Sequence, residues 1–168
     1  MNDVDILKKI EKKVLWLACW MIHNANHIRE NQDGLKVGGH QASSASIVSI
    51  MTALYFSILR PEDRVAVKPH ASPVFHAIQY LSGLQTKEKI QNFRGFGGAQ
   101  SYPSRTKDID DVDISTGSVG LGVAMTSFIS LIQDYVARKK FYKNKPLGRM
   151  IALVGDAELD EGNVYECL

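Results

Sequence analysis

Three groups of residues in this chain have types and spacing suited to chemistry. The first is acidic. In RMIALVGDAELDEGN an apolar run over residues 150–154 breaks at Gly155-Asp156, and carboxylates follow at Glu158, Asp160 and Glu161. A short, continuous apolar run reads as a buried parallel strand. In an open parallel sheet, ligands gather beyond the carboxyl ends of the strands, so Asp156 is expected to project from a strand tip toward that region. A helix beginning over residues 157–159 would add free N–H groups and a positive dipole end, which suit a diphosphate. A carboxylate beside a diphosphate suits Mg²⁺, an ion that takes oxygen ligands and bridges protein to phosphate. The same residues also fit a plainer role, with Asp156 capping the helix and the acids on its first turn.

The second group is TGSVGLG, residues 116–122. Glycines in a strand-to-helix turn let the backbone approach a flat ligand or a neighbouring strand, and both readings stay open. The third group is the histidines. His23 and His27 sit four apart on one helix face, a spacing that suits a metal. No third ligand accompanies them, so a solvated or interface face is expected. His76 falls inside a helical pattern and reads as structural. His40 follows VGG, and His70 follows a short apolar run and Pro69. Histidines in such loops are placed for proton transfer or contact with an anion.

These groups need elements to position them. Leu7, Ile10, Val14, Leu17 and Met21 recur at three- and four-residue steps and predict an amphipathic helix from residue 4 to about 30. Gly34 and Gly38-Gly39 mark a loop, after which Ser43 or Ser44 would cap a second helix burying Ile47, Ile50, Met51, Leu54 and Ile58. RVAVKPH reads as a strand and SPVFHAIQYLSG as a helix entered at Ser72-Pro73; residues 86–93 form another short helix. Residues 95–113 read as a long loop, of the kind that inside a compact domain is either functional or disordered. A short strand in VDIS then enters the glycine turn and a helix expected to bury Leu121, Met125, Phe128, Ile129, Ile132 and Tyr135. YKNKPLG is a polar connection before the 150–154 strand. Strands alternating with longer helices give an α/β class, a parallel sheet flanked by helices.

Bulk properties narrow the function. The chain has 168 residues, 45% hydrophobic and 23% charged, with a net charge of +2. That balance lacks the concentrated basic surface that nucleic acid or an anionic membrane requires. Lys8, Lys9, Lys12 and Lys13 fit the solvated face of a helix. No apolar run approaches the ~20 residues of a membrane span, and the N-terminus lacks a signal-peptide layout. Cys19 and Cys167 have no short pairing spacing, which fits a reduced, cytoplasmic chain.

GGHQAS, KPHASP, STGSVGLG and VGDAELDEGN occur in that order. Together they resemble the N-terminal, diphosphate-binding domain of thiamine-diphosphate enzymes of the transketolase superfamily. Within it, the likeness is to the homodimeric type of pyruvate dehydrogenase E1 component, and it runs from about Leu15 onward. The resemblance implies that Asp156 ligates the Mg²⁺ that grips the diphosphate of thiamine diphosphate, with Gly155, Ala157 and Glu158 around it. Gly117, Ser118 and Val119 would lie along the aminopyrimidine. His70 would sit near the diphosphate and thiazolium, and His40 near the reacting carbon, both moving protons. Glu161 and Glu166 match acidic positions near a subunit interface; a role as solvated helix acids stays open for both. Where the family carries Gly-Asp-Gly this chain has Gly155-Asp156-Ala157, which is tolerated if residue 157 has a negative φ.

The family's second protein metal ligand, an asparagine, and its pyrimidine-binding domain match nothing in the chain. The expectation is therefore a partial diphosphate-binding domain truncated at its C-terminus, with a helix and linker over 1–34 and an α/β core over 35–168. It would be inactive alone and assemble as a homo-oligomer or with a subunit carrying the pyrimidine-binding domain. A lipoyl-bearing E2 component is a further implied partner. GGAQSYPS lacks the Gly-His-Pro with which transketolases contact sugar hydroxyls. That favours a 2-oxo acid, pyruvate first, over ketol transfer. A non-catalytic interaction module is the reading from another class.

Overall fold

The structure, a computed structural model, describes residues 2–30, 34–141 and 146–168. Helix α1 (Asp3–His23) starts where the Asn2 side chain accepts the Asp5 N–H at 2.9 Å, and it runs into a π-helical turn, Asn24–Ile28. Val14, Leu17 and Met21 face the core, as their spacing predicts, and Ala18 is buried with them. Helices α2 (Gln41–Ala45) and α3 (Val48–Ala53) follow, the latter continued by a second π-helical turn, Leu54–Ile58. The second helical segment thus begins at Gln41, with His40 extended before it, and neither Ser43 nor Ser44 caps it. Ser44 instead donates from Oγ to His70 O at 3.2 Å. Ile50 and Ile58 are exposed, because only Ile47, Val48, Met51 and Leu54 turn inward.

Strand β1 (Arg64–Ala66) pairs in parallel with β2 (Met150–Ala152), Val65 opposite Ile151. A 3₁₀ turn, Pro69–Ala71, leads into α4 (Ser72–Leu81), whose residues 72–79 are buried without exception. Helix α5 (Lys87–Gln91) is capped by Thr86, and no further helix forms before α6 (Leu121–Arg138), so the long loop stands as expected. A 3₁₀ turn, Ala157–Asp160, and α7 (Gly162–Cys167) follow β2.

Alternation along β1 sorts the layers. Val65 and Val67 join the cluster built from α1, α3 and α4, with Ile151 and Leu153 packed against it. Ala66 points the other way, and a β-carbon added at Gly122 of α6 would lie 3.5 Å from its Cβ. Helices therefore lie on both faces of a parallel sheet, the α/β arrangement expected.

The strand read in VDIS is reduced to a single bridge, Ile114 to Ala66. Side chains do the rest of its pairing. Asp113 Oδ2 accepts the Val65 N–H at 2.9 Å, and Thr116 Oγ1 donates to Val67 O at 3.2 Å. The burial expected of α6 is also corrected. Leu121, Met125, Phe128, Ile132 and Tyr135 are exposed, and Ile129 is half-buried, because little of the described chain packs outside that helix. Of the polar connection over 142–148, residues 142–145 lie outside the described residues. No described helix is long and apolar enough to cross a membrane.

Candidate functional site

Three turns converge at the carboxyl ends of the strands. The first follows β1 and carries Lys68 and His70. Thr116 secures the second, 114–120, to Val67 O. The third is Gly155-Asp156-Ala157, after β2. They border one open cleft of about 550 Å³, lined by Lys68, His70, Ser118, Gly155, Asp156, Ala157, Glu158 and Glu161, with Ala42, Ser43 and Ser46 of the α2 segment opposite. Its donor set is mixed: three carboxylates, one ammonium, an imidazole and serine hydroxyls. Carboxylates suit a hard cation, and the ammonium and hydroxyls suit phosphate oxygens. This combination fits a metal-bound diphosphate.

Asp156 is exposed and makes no capping hydrogen bond to the 3₁₀ turn, so the plain capping role is not what it does. Among the described residues, Arg94 and Lys140 are the non-glycine residues at positive φ, and Ala157 is not one of them. Its methyl group therefore costs no backbone strain. Glu158 turns back as a clasp: Oε1 accepts from Gly120 N at 3.2 Å and Oε2 from Gly155 N at 3.4 Å, joining two glycine turns. Gly120 holds φ of 76°, and a β-carbon there would meet Val164 Cγ2 at 2.9 Å, so only glycine fits where α6 begins against α7.

A second cleft of about 580 Å³ adjoins the first and shares Ser43 and His70 with it. His40 lines this one, with Lys36, Arg94, Ser101 and Tyr102. The loop bearing His40 is fixed from two sides. Asn26, in the π-helical turn, accepts Gly38 N–H at 2.6 Å on Oδ1 and donates from Nδ2 to Gly39 O at 3.3 Å. Arg94 Nη1 donates to Val37 O at 2.8 Å. A β-carbon at Gly38 would lie 2.4 Å from Ile22 O, so glycine lets this loop press onto α1.

The remaining sequence candidates fall around these clefts. Gly117 and Val119 flank Ser118 without lining the first cleft, and Val119 O accepts from Asn163 Nδ2 at 2.8 Å. Glu166 is exposed on α7, away from both clefts. His23 and His27 lie ring to ring at 5.0 Å. Among the described residues, the one trio spaced for a metal is His76, Asp108 and Asp110, apart from Asp156. His76 is buried, its Nδ1 2.7 Å from Asp110 Oδ2 and its Nε2 2.8 Å from Gln100 O. Gln100 O only accepts, so Nε2 carries a proton, and the imidazole ties α4 to the long loop. Asp108 completes that loop by accepting from Gln100 N and Ser104 N.

Sequence reasoning missed Lys68 and Arg94. Lys68 stands two residues before His70 at the β1 tip, where the strand-tip rule applied to His70 would have reached it. Arg94, in NFRGFGG, gives no local sign.

The family profile described as the transketolase thiamine diphosphate binding domain matches residues 38–168. The chain is 27% identical to the pyruvate dehydrogenase E1 component of Mycolicibacterium smegmatis, over 95% of this chain and 18% of that protein. The same component of Pseudomonas aeruginosa is 29% identical over equal shares. Transketolase-like protein 2 of Mus musculus is 30% identical over 77% of this chain and 21% of its own length. The chain thus spans about a fifth of the length of these relatives.

Proposed function

The chain belongs to the transketolase family as a thiamine diphosphate-binding domain, and from that membership we propose that it is the cofactor-gripping part of a 2-oxo acid dehydrogenase E1 component, with pyruvate as the acid. The observation that carries this reading is the shared cleft: Asp156, His70 and Ser118 come from three turns far apart in sequence and line one space beyond the parallel strand tips. Asp156 would hold Mg²⁺ on the diphosphate, with Gly155, Ala157 and Glu158 around it and Lys68 balancing phosphate charge. Ser118, with Gly117 and Val119 flanking it, would lie toward the aminopyrimidine. Thiamine diphosphate, when bound, supplies a carbanion that attacks the ketone carbon and an electron sink for the decarboxylation. His70, shared by both clefts, and His40, in the second, would hold and move protons there.

The relatives named pyruvate dehydrogenase E1 component support the acid substrate, as does GGAQSYPS, which lines the second cleft with Ser101 and Tyr102 and adds no histidine to His40 and His70 there. The mouse transketolase-like relative supports ketol transfer as the second reading. Turnover also calls for the pyrimidine-binding domain that the resemblance implies, which residues 1–168 do not supply. The exposed apolar side chains of α6, together with Glu161 and Glu166 of the α7 segment packed on it, are the surface for association with that domain.

Calorimetry with thiamine diphosphate tests the reading. Binding is expected in Mg²⁺, is lost in chelator, and is abolished by Asp156→Ala. Absence of Mg²⁺-dependent binding, both alone and with a pyrimidine-domain partner, would sink it. The chain by itself should release no carbon dioxide from pyruvate, and measurable release would contradict the need for a partner.

A further inference from the structure

Three unfavourable features meet at Arg94. Its backbone is left-handed, with φ of 60°, a region that L-residues with long side chains rarely occupy. Its guanidinium is half-buried, with Nε buried and without a hydrogen-bond partner. No described carboxylate pairs with it; Nη1 donates to a backbone carbonyl, Val37 O, and the group lies 5.3 Å from the Phe93 ring centroid. Burial pushes the guanidinium's pKa down from its ordinary value. Local strain and an unpaired, partly desolvated charge persist only where the surroundings enforce them, and such outliers mark functional positions.

The surroundings do enforce them. Arg94 N donates to Ala99 O at 2.9 Å, closing a tight loop around Gly97 and Gly98. A β-carbon at Gly98 would fall 1.7 Å from Asn92 O, so the loop tolerates no looser winding. Gly39, beside His40, leaves room for the guanidinium, since a β-carbon there would stand 3.2 Å from both Nη atoms. The result is a cation delivered to the wall of the second cleft, which it shares with Lys36, His40, His70 and the Ser101-Tyr102 pair. None of the described residues lining that cleft is Asp or Glu. The adjoining cleft carries three carboxylates, so the two halves of the site have opposite character.

We propose that Arg94 is an oxyanion subsite, binding the charged end of the donor substrate, a carboxylate or a phosphate, in the cleft beside the cofactor. This rests on the functional reading above. A guanidinium offers parallel N–H donors that match either oxyanion, and a site without acids does not repel it. His40 and His70 then face the substrate's carbonyl end while Arg94 holds its anionic end, which sets the direction in which the substrate lies.

Proton–nitrogen NMR of the full chain, labelled at arginine, provides the test. Saturating pyruvate or inorganic phosphate should move the Arg94 Nε–H resonance, and uncharged hydroxyacetone should leave it in place. Arg94→Gln should weaken the anion about tenfold or more, and Arg94→Lys should give an intermediate loss, because a point charge lacks the fork. Tighter binding of pyruvate than of phosphate assigns the subsite to a 2-oxo acid, and the reverse assigns it to a phosphorylated sugar. If the variants do not fold, the wild-type resonance still decides. A stationary Nε–H signal at saturating pyruvate and phosphate overturns the proposal. Thiamine diphosphate binding, measured in parallel, separates the two readings: anion binding without cofactor binding would sink the cofactor proposal and leave Arg94 standing.

Discussion

At the scale of single residues, the position after Asp156 shows how a motif departure is judged. A methyl group in place of hydrogen matters only where φ is positive or space is short. Ala157 begins its 3₁₀ turn at a φ any residue adopts. Ala157→Gly is therefore expected to keep Mg²⁺-dependent affinity for thiamine diphosphate within about threefold while lowering stability by about 0.5 kcal/mol, since glycine adds freedom to the unfolded chain. Paired calorimetry and urea unfolding would check both halves, and a tenfold gain in affinity would show that the methyl group obstructs the site. Asp156, His70 and Ser118 were legible because each stands at a strand tip or just beyond one, and strand tips can be read from short apolar runs. The clasp made by Glu158 was not, because its two donors, Gly120 and Gly155, are brought together only by the sheet. Arg94 was hidden for a related reason: nothing in NFRGFGG reveals a left-handed arginine.

At the scale of elements, the two strands are locked by a buried acid. Asp63, just before β1, accepts from Arg149 N at 2.8 Å and Arg149 Nε at 3.1 Å, and from Arg60 N at 2.9 Å and Arg60 Nη2 at 3.1 Å. Its carboxyl is held far below the usual carboxylate range, first by the Arg149 side-chain bond, against the opposing effect of burial. A depressed folded pKa means that the unfolded chain binds the proton more readily. The stabilisation is therefore complete above the ordinary carboxylate pKa, about 4, and is lost as pH falls below it. Asp113 acts in the opposite sense: burial raises its pKa despite the Val65 N–H and Arg64, so it detracts from stability as pH rises through its titration. The urea midpoint should fall between pH 7 and pH 3 in the native chain. Asp63→Asn should begin lower and lose less over the same span; an equal loss would place the acid sensitivity elsewhere. Most elements were legible, since their periodicity is strong. The VDIS strand was overread because alternation cannot reveal that the Asp113 and Thr116 side chains take over ladder bonds.

At the scale of the molecule, the surface is too large. The chain exposes 10200 Å², whereas a compact monomer of 18.7 kDa exposes roughly 8,300 Å². Part of the excess is the apolar face of α6, where Leu131 is 64% and Ile132 61% exposed. The stripe itself was plain in sequence, but periodicity reports that a helix is two-faced and is silent on what covers it. Phe128→Glu with Leu131→Glu should convert an associated species to a monomer in sedimentation velocity while moving the monomer's thermal midpoint little, because both side chains already face outward. An unchanged assembly would place the contact on another face. The parallel pairing of Arg64 with Met150 has a last consequence. On a ribosome, the partner of β1 is made 86 residues after it, roughly four to seventeen seconds later at ordinary elongation rates. Through that delay Val65 has no neighbour on that side, and the strand tips that carry His70 and Asp156 cannot meet. The cleft between the strand tips can therefore close only once β2 has been made.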